Sequence, residues 1–490
     1  MAGWIYGIIT MVFLFAWLGP TLYRFGGHSL LVAILATLLF DVYHGLVGAL
    51  WFIGIALGRR YLHLHDWLLF PLIYVPVEHF FPVLFPWQLG LPLRHAHLLL
   101  QMADFTGAVG LTFVVALVGG ALSDVATDIQ NQTREKKRHP VRWRALSGLF
   151  VSALLLSIFA GYGYWRIQQI DHLVAKAGEG GHVVTIGIVQ PNVAPTDQPQ
   201  RGPQWIAVLH SLSDIAVKKG AQLVVWPETA IQYRVNASVL AREISRNKQP
   251  GRMSSGRMSS GHRSAFPEWI PMKTTTVLTG GRIEERIRNA QPRRYNSAFL
   301  ISHLGGVLGA VSKNRLLMFG EYLPLESYFP NLRHWFPHAG DMSPGKKPGI
   351  LNWYGVRIGV AICYEDVLAG YVRQLMQHNP YVLMNVTNDH WFGHSSEPWL
   401  HLGLASLRAV ESRRFLVRST MDGISAIVSP TGRIVRQAAP FRRAVIVDDV
   451  PLLTGRTFFV RYGPWLVYAC LLLLLLAVAS AIAKWYFAAD

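Results

Sequence analysis

Residues 360–366 read Val-Ala-Ile-Cys-Tyr-Glu-Asp. An apolar run suited to a buried strand stops at a thiol, and two carboxylates follow it. A lone cysteine at such a boundary is a candidate nucleophile, and an inert buried thiol is the alternative. Cys363 is one of two cysteines in 490 residues; the other, Cys470, lies inside an unbroken apolar stretch. Two further segments give Cys363 possible partners: Trp-Pro-Glu at 226–228 and Ser-Lys-Asn at 312–314.

Outward from Cys363, strands are expected at 183–190, 221–226, 276–280, 297–302, 356–363, 382–386 and 423–428. Helices are expected at 204–219, 366–377 and 401–412. Strands punctuated by helices indicate an α/β domain. The hairpin-like segment 295–311 and the tail 432–447 add antiparallel pairing, which favours a layered sandwich over a doubly wound sheet. Residues 251–255 and 256–260 repeat Gly-Arg-Met-Ser-Ser in tandem within a low-complexity stretch, 246–266, read as a surface loop.

The rest of the chain has another texture. Hydrophobic residues make up 51% and charged residues 15%, well below the charged share of an ordinary soluble domain. Candidate membrane spans are 4–24, 29–57, 67–87, 104–122, 145–165 and 463–485. The third carries Pro71, Pro76, Pro82 and Pro86 and is expected to be irregular and partly re-entrant. No basic segment precedes the first apolar run, so 4–24 reads as a retained helix. The net charge of +18 accompanies these spans, which points to lipid headgroups and topology signals; no basic stretch with interleaved aromatics suggests nucleic acid. The basic loops 58–66 and 123–144 are expected on the cytoplasmic side, which places 166–460 outside, in a bacterium the periplasm. The domains are then a transmembrane part (1–166), a linker (167–181), an α/β domain (182–455) and a C-terminal helix (456–490).

A thiol becomes a good acyl acceptor only as the thiolate, so a base must take its proton. Glu228 and Cys363 are both expected at the C-terminal ends of strands, where α/β sheets assemble their sites. Glu228 is the candidate base, and Lys313 the candidate stabiliser of a thiolate or an oxyanion. Glu321 can orient Lys313; Glu365 can hold the Glu–Lys pair or a substrate amine. His390 and His394, in the loop 387–394, are rival bases. No HExxH or CxxC spacing suggests a metal, and no cofactor motif is present.

Together, Trp-Pro-Glu-Thr-Ala (226–230), Lys313 and Cys-Tyr-Glu-Asp (363–366) resemble the Glu–Lys–Cys triad of the nitrilase superfamily. Phe-Gly-Glu-Tyr-Leu-Pro (319–324), Asn-Val-Thr-Asn-Asp-His-Trp-Phe-Gly (385–393), Arg-Ala-Val-Glu (408–411) and Ala-Asp-Phe-Thr-Gly-Ala-Val-Gly-Leu (103–111) are similar to the apolipoprotein N-acyltransferase family. The resemblance implies an α-β-β-α sandwich beside a multi-span membrane domain. It implies a monomeric enzyme of the bacterial inner membrane with its catalytic domain in the periplasm. It further implies ping-pong acyl transfer from a glycerophospholipid, through a thioester on Cys363, to the N-terminal amine of a diacylglyceryl-cysteine lipoprotein. Glu228, Lys313 and Cys363 would be catalytic, Glu321, Tyr364 and Glu365 supporting, and Trp205 would lie by the substrate entrance. A membrane-tethered amidase, a paralogue acylating another amine and a catalytically dead binding module are the competing readings.

Overall fold

The structure, a computed structural model, describes residues 1–24, 26–27, 29–134, 142–193, 202–247, 265–266, 272, 274–336 and 339–487. The tandem repeat 251–260 and the basic residues Lys136, Lys137 and Arg138 lie outside the described residues. The chain divides into two compact units, Met1–Gln169 with Thr457–Asp490, and Ile170–Arg456.

The first unit is helical. Among the described residues four helices are long and apolar enough to cross a membrane: Leu30–Tyr61, Val109–Arg134, Ala145–Glu179 and Trp465–Phe487. The expected span 4–24 is instead two helices, Ala2–Leu14 and Leu18–Arg24, bent by 53°; they would be a fifth span if they cross as one. The expected span 67–87 is helical only over Asp66–Phe80. Pro71 and Pro76 sit inside that helix without ending it. It ends where residue 81 precedes Pro82, a position that disfavours helical backbone. At 1.5 Å per residue it is about 23 Å long, short of a bilayer core. Helix Val109–Arg134 runs well into the expected loop 123–144, and the 167–181 segment is helical as far as Glu179. Cys470 packs with Leu72, Val75, Val109 and Val467, an apolar thiol in a helical core. Asp104 is satisfied by Tyr162 Oη and Arg166 Nε, each 2.6 Å away.

The second unit holds two sheets. The first contains β1 (Val183–Gln190), β2 (Leu223–Val225), β3 (Arg234–Asn236), β4 (Thr276–Glu285), β5 (Arg293–Ile301) and β6 (Val307–Ser312). The second contains β7 (Ile350–Trp353), β8 (Val356–Ile362), β9 (Val382–Thr387), β10 (Leu416–Thr420), β11 (Ala426–Val428) and β12 (Ile434–Gln437). The last strand, β13 (Ala444–Pro451), returns to the first sheet and pairs antiparallel with β1. The sheet orders are β13-β1-β2-β4-β5-β6, with β3 beside β4, and β12-β11-β10-β9-β8-β7. Both are mixed: β1, β2 and β4 run parallel, as do β8, β9 and β10.

The core lies between the sheets. Ile186, Ile188, Leu223, Val225, Leu278 and Leu300 from the first meet Ile358, Val360, Ile362, Met384, Val386 and Val417 from the second. On the outer faces, helices Gly202–Lys218 and Ala237–Asn247 cover the first sheet, and Ala369–Met376 and Glu397–Ser412 cover the second. The unit is therefore the expected α-β-β-α sandwich. Strands buried on both sides explain why β1, β2, β8 and β9 read as continuous apolar runs rather than alternations.

Candidate active site

Each candidate side chain leaves the end of a strand. Glu228 follows β2 through Trp226 and Pro227, Lys313 follows β6, and Cys363 follows β8. Cys363 has φ +52°, a left-handed backbone that a non-glycine residue holds only under strain. The sharp turn it makes opens a short 3-10 segment, Cys363–Val367, and sets the thiol off the strand axis.

Glu365 secures that turn. Its buried carboxylate accepts from Ile362 N at 2.9 Å, Asn314 N at 2.6 Å and Arg315 N at 3.0 Å. It thus clamps the nucleophile turn to the residues after Lys313. This corrects the expectation that Glu365 holds the Glu–Lys pair or a substrate amine: its oxygens are taken by backbone N–H groups. Burial pushes its pKa up to about 7, against the pull of those three bonds and of Lys313.

Lys313 is buried between two carboxylates. Its Nζ lies 2.8 Å from Glu321 Oε2 and 4.0 Å from Glu228 Oε1. The Asn296 amide donates to Glu228 Oε1 at 2.6 Å and to Glu321 Oε1 at 2.8 Å, so one side chain spaces both acids around the lysine. Glu321 Oε2 also accepts from Leu317 N at 2.9 Å. Burial alone would lower the Lys313 pKa, but Glu321, Cys363 and Glu228 outweigh it and raise it. Glu228 is raised by burial and by Glu321, against the pull of Lys313, Asn296 and Cys363.

Glu228, Lys313 and Thr387 all act on the Cys363 thiol. Burial and the Glu228 charge push the thiol pKa up, against Lys313. A thiolate would be a third negative charge beside one ammonium, so the site favours the neutral thiol. The arrangement suits proton transfer to Glu228 during attack, rather than a preformed ion pair. Tyr364 sits beside Lys313, its hydroxyl pushed up to about 12 by burial.

Reaction of the Cys363 thiol with an electrophile should therefore need ionised Glu228 and protonated Lys313. Its rate should rise with pH through a midpoint above the ordinary glutamate value of 4.5. It should not fall through lysine deprotonation below about pH 10. Single-turnover rates across pH check this, and a rate already flat from pH 5 upward would contradict it.

Trp205, which the resemblance sets by the substrate entrance, is buried among the described residues. It is 6% exposed, packs with Val224, Trp226 and Ala230, and its indole N–H donates to Ala230 O at 2.7 Å. It braces the turn that carries Glu228. Of the rival bases, His390 Nδ1 is engaged with Asp422, and His394 stacks on Phe441 with ring centroids 3.7 Å apart.

A second charged cluster, which the sequence did not announce, lies behind the nucleophile. Asn385 donates to Cys363 O at 3.1 Å and to Ala361 O at 3.2 Å. Arg418 Nη1 donates to Asn385 Oδ1 at 2.9 Å and to Asp366 Oδ2 at 2.7 Å, and Nη2 to Asp389 Oδ2 at 2.9 Å. His401 completes the ring, with Nε2 2.8 Å from Asp366 Oδ1 and Nδ1 3.1 Å from Asp389 Oδ1. Two carboxylates at its two nitrogens require the imidazolium. Burial and Arg418 would lower its pKa, but Asp366 and Asp389 raise it to about 10. Asp389, Glu397 and His401 bring three possible metal-ligand atoms together. Arg418 and His401 already neutralise the carboxylates there, and burial raises Glu397 to about 8, favouring its neutral form near pH 7. The cluster acts as a fully charged brace for the turn that holds Cys363.

Residues 185–458 match the carbon-nitrogen hydrolase family, and residues 1–121 match the apolipoprotein N-acyltransferase N-terminal domain. An apolipoprotein N-acyltransferase of Geobacter metallireducens is 31% identical over 409 residues, covering 82% of this chain and 71% of that protein. One from Bdellovibrio bacteriovorus is 30% identical over 488 residues, covering 95% and 82%. One from Pseudomonas aeruginosa is 28% identical over 476 residues, covering 94% and 83%. Among solved structures, an amidase from Nesterenkonia sp. aligns with 58% of this chain and 95% of its own, at 19% identity and TM-score 0.39.

Proposed function

This chain belongs to the apolipoprotein N-acyltransferase family, and on that ground we propose that it N-acylates lipoproteins by way of a thioester on Cys363. The observation that carries the reading is the convergence of Glu228, Lys313 and the strained Cys363 turn on one buried site. In the first half-reaction the sulfur attacks the ester carbonyl of a glycerophospholipid. The S–C bond forms, the ester C–O bond breaks, and Glu228 passes the thiol proton to the departing alkoxide. In the second, the α-amine of a diacylglyceryl-cysteine attacks the thioester. The N–C bond forms, the C–S bond breaks, and Glu228 carries the amine proton back to sulfur.

Lys313, with the backbone N–H that follows the nucleophile, stabilises the oxyanion in both halves. Glu321 orients Lys313, Glu365 and Tyr364 support the nucleophile turn, and Trp205 positions the Glu228 turn. Lipid substrates require access from a membrane, here proposed as the bacterial inner membrane with this unit in the periplasm. Exposed apolar side chains support that access: Phe319, Leu325, Tyr328 and Phe329 all follow Lys313 closely in the chain. They would also keep water from the thioester.

Intact-protein mass spectrometry after incubation with phospholipid vesicles should show one acyl increment on the wild type and none on Cys363→Ala. Full acyl transfer by Cys363→Ala would sink the mechanism. Release of free fatty acid with no acylated amine would turn the reading toward a hydrolase.

A further inference from the structure

Beside the thiol site, the second unit holds a cavity of about 310 Å³ whose lining includes Arg234, Arg282, Glu284, Arg294, Arg333 and Asp341. Four guanidinium groups face two carboxylates in the lining, and Glu326, paired with Arg333, brings the balance to one net positive charge. Arg333 is held rigidly: Nε and Nη2 lie 2.8 and 2.7 Å from the two Glu326 oxygens, and Nη1 donates to Ala339 O at 2.7 Å. The other cations are under-satisfied. Glu284 Oε2 serves two arginines at once, 3.4 Å from Arg234 Nη1 and 4.0 Å from Arg294 Nε. Arg294 Nε is buried with no hydrogen-bond partner among the described residues. Arg282 lines the cavity with no side-chain hydrogen bond or ion pair among the described residues.

Register ties this cavity to the chemistry. Arg282 on β4 lies opposite Asn296 on β5, and Glu284 lies opposite Arg294. Arg234 on β3 aligns with Arg282. Opposed residues share a face, and so do alternate residues along a strand. One row therefore starts at Asn296, which holds Glu228 and Glu321, and reaches Arg294 two residues on, about 7 Å away. The far wall is tied to the same place: Gly340 N donates to Gly320 O and Met342 N to Glu321 O, each at 2.9 Å.

We propose that this cavity binds a phosphate anion, and, resting on the function proposed above, that the anion is the headgroup phosphate of the acyl-donor lipid. Guanidinium forks match phosphate oxygens in pairs, and the unpartnered Arg294 Nε and Arg282 would find acceptors there. In a glycerophospholipid only the glycerol separates the scissile ester from the phosphate. That offset suits an anion site about 7 Å along the row from the residue that holds the base.

The test uses the full chain in detergent and the double variant Arg282→Gln/Arg294→Gln, with Arg282→Lys/Arg294→Lys as the charge-preserving control. Melting without added phosphate establishes that each variant is folded. Loading of Cys363 is timed by intact mass with two donors: phosphatidylglycerol, and diacylglycerol, an ester without phosphate. The ratio of the two rates should fall about tenfold in the glutamine variant and recover in part in the lysine variant. Inorganic phosphate at constant ionic strength should raise the melting temperature of the wild type more than that of the glutamine variant. A fallen ratio assigns the cavity to the lipid headgroup. A lost phosphate shift with an unchanged ratio assigns it to free phosphate and overturns the lipid source. No change in either overturns the site. If the wild type loads from neither donor, the function proposed above fails, and the phosphate arm alone still decides the site.

Discussion

Glu228→Gln should slow thioester formation on Cys363 by about a thousandfold, the middle of the range for removing a positioned general base. The substitution keeps the size of the side chain and the bond from Asn296 Nδ2 to an oxygen at the Glu228 position. What it removes is the acceptor for the thiol proton, in a site where burial and carboxylate charge keep that thiol protonated. Among the described residues the nearest other acid, Glu321, is not free to take over, since its oxygens are already bound by Lys313, Asn296 and Leu317. Folding should be spared, because a buried carboxylate of raised pKa gives way to a neutral amide. Single-turnover loading followed by intact mass, with a melting curve alongside, checks both halves. A loading rate within tenfold of wild type would exclude Glu228 as the base.

Arg418→Met should destabilise the catalytic unit by about 3–5 kcal/mol, the usual cost of breaking a buried ion pair from one side. Methionine fills much of the volume, but Asp366 and Asp389 are left with His401 as their one cation in the ring, and Asn385 loses the donor to its oxygen. In a unit of this size that is a fall in melting temperature on the order of 10 °C. The loss should depend on pH. Asp389 is held down to about 2 by Arg418 and His401 against burial, so its contribution is present above the unfolded value of 3.8 and lost as pH falls through 2. His401 is raised to about 10, so its contribution is complete below 6.5 and lost as pH rises through 10. Arg418 lowers the His401 pKa, so its removal leaves that contribution in place; the variant should differ from wild type fully above about pH 4 and approach it as pH falls through 2, where Asp389 protonates. Thermal unfolding of the full chain at pH 5 and at about pH 2 measures this. An unchanged melting temperature at pH 5 would mean that the cluster does not hold the nucleophile turn.

That Cys363, Glu228 and Lys313 come together was legible because each follows a strand whose apolar run is visible in the sequence. Their support was not. Asn296 and Asn385 sit inside strands, where a single amide carries no signal until register sets it against a carboxylate or a carbonyl. β10 carries no strand signal: Leu-Val-Arg-Ser-Thr has two apolar residues, and its buried Arg418 reads as a surface charge until Asp366, Asn385 and Asp389 close around it. The partners of Glu365 carry no sequence signal, because only the fold brings the backbone of Asn314 and Arg315 to it. In the helical unit, hydropathy alone extended the span at 67–87 through Pro82, where the backbone rule for the preceding residue ends the helix.

The pairing of β1 with β13 has a consequence for how the protein is made. Thr185 and Asp449, hydrogen-bonded across that pair, stand 264 residues apart in sequence. Until the ribosome has delivered β13, β1 has an open edge with a buried-type sequence, the template on which unfinished sheets aggregate. The site residues 228, 313 and 363 are all synthesised earlier, yet the first sheet cannot close around them. Premature termination between residue 363 and β13 should thus yield an aggregating chain, even though Glu228, Lys313 and Cys363 are all present.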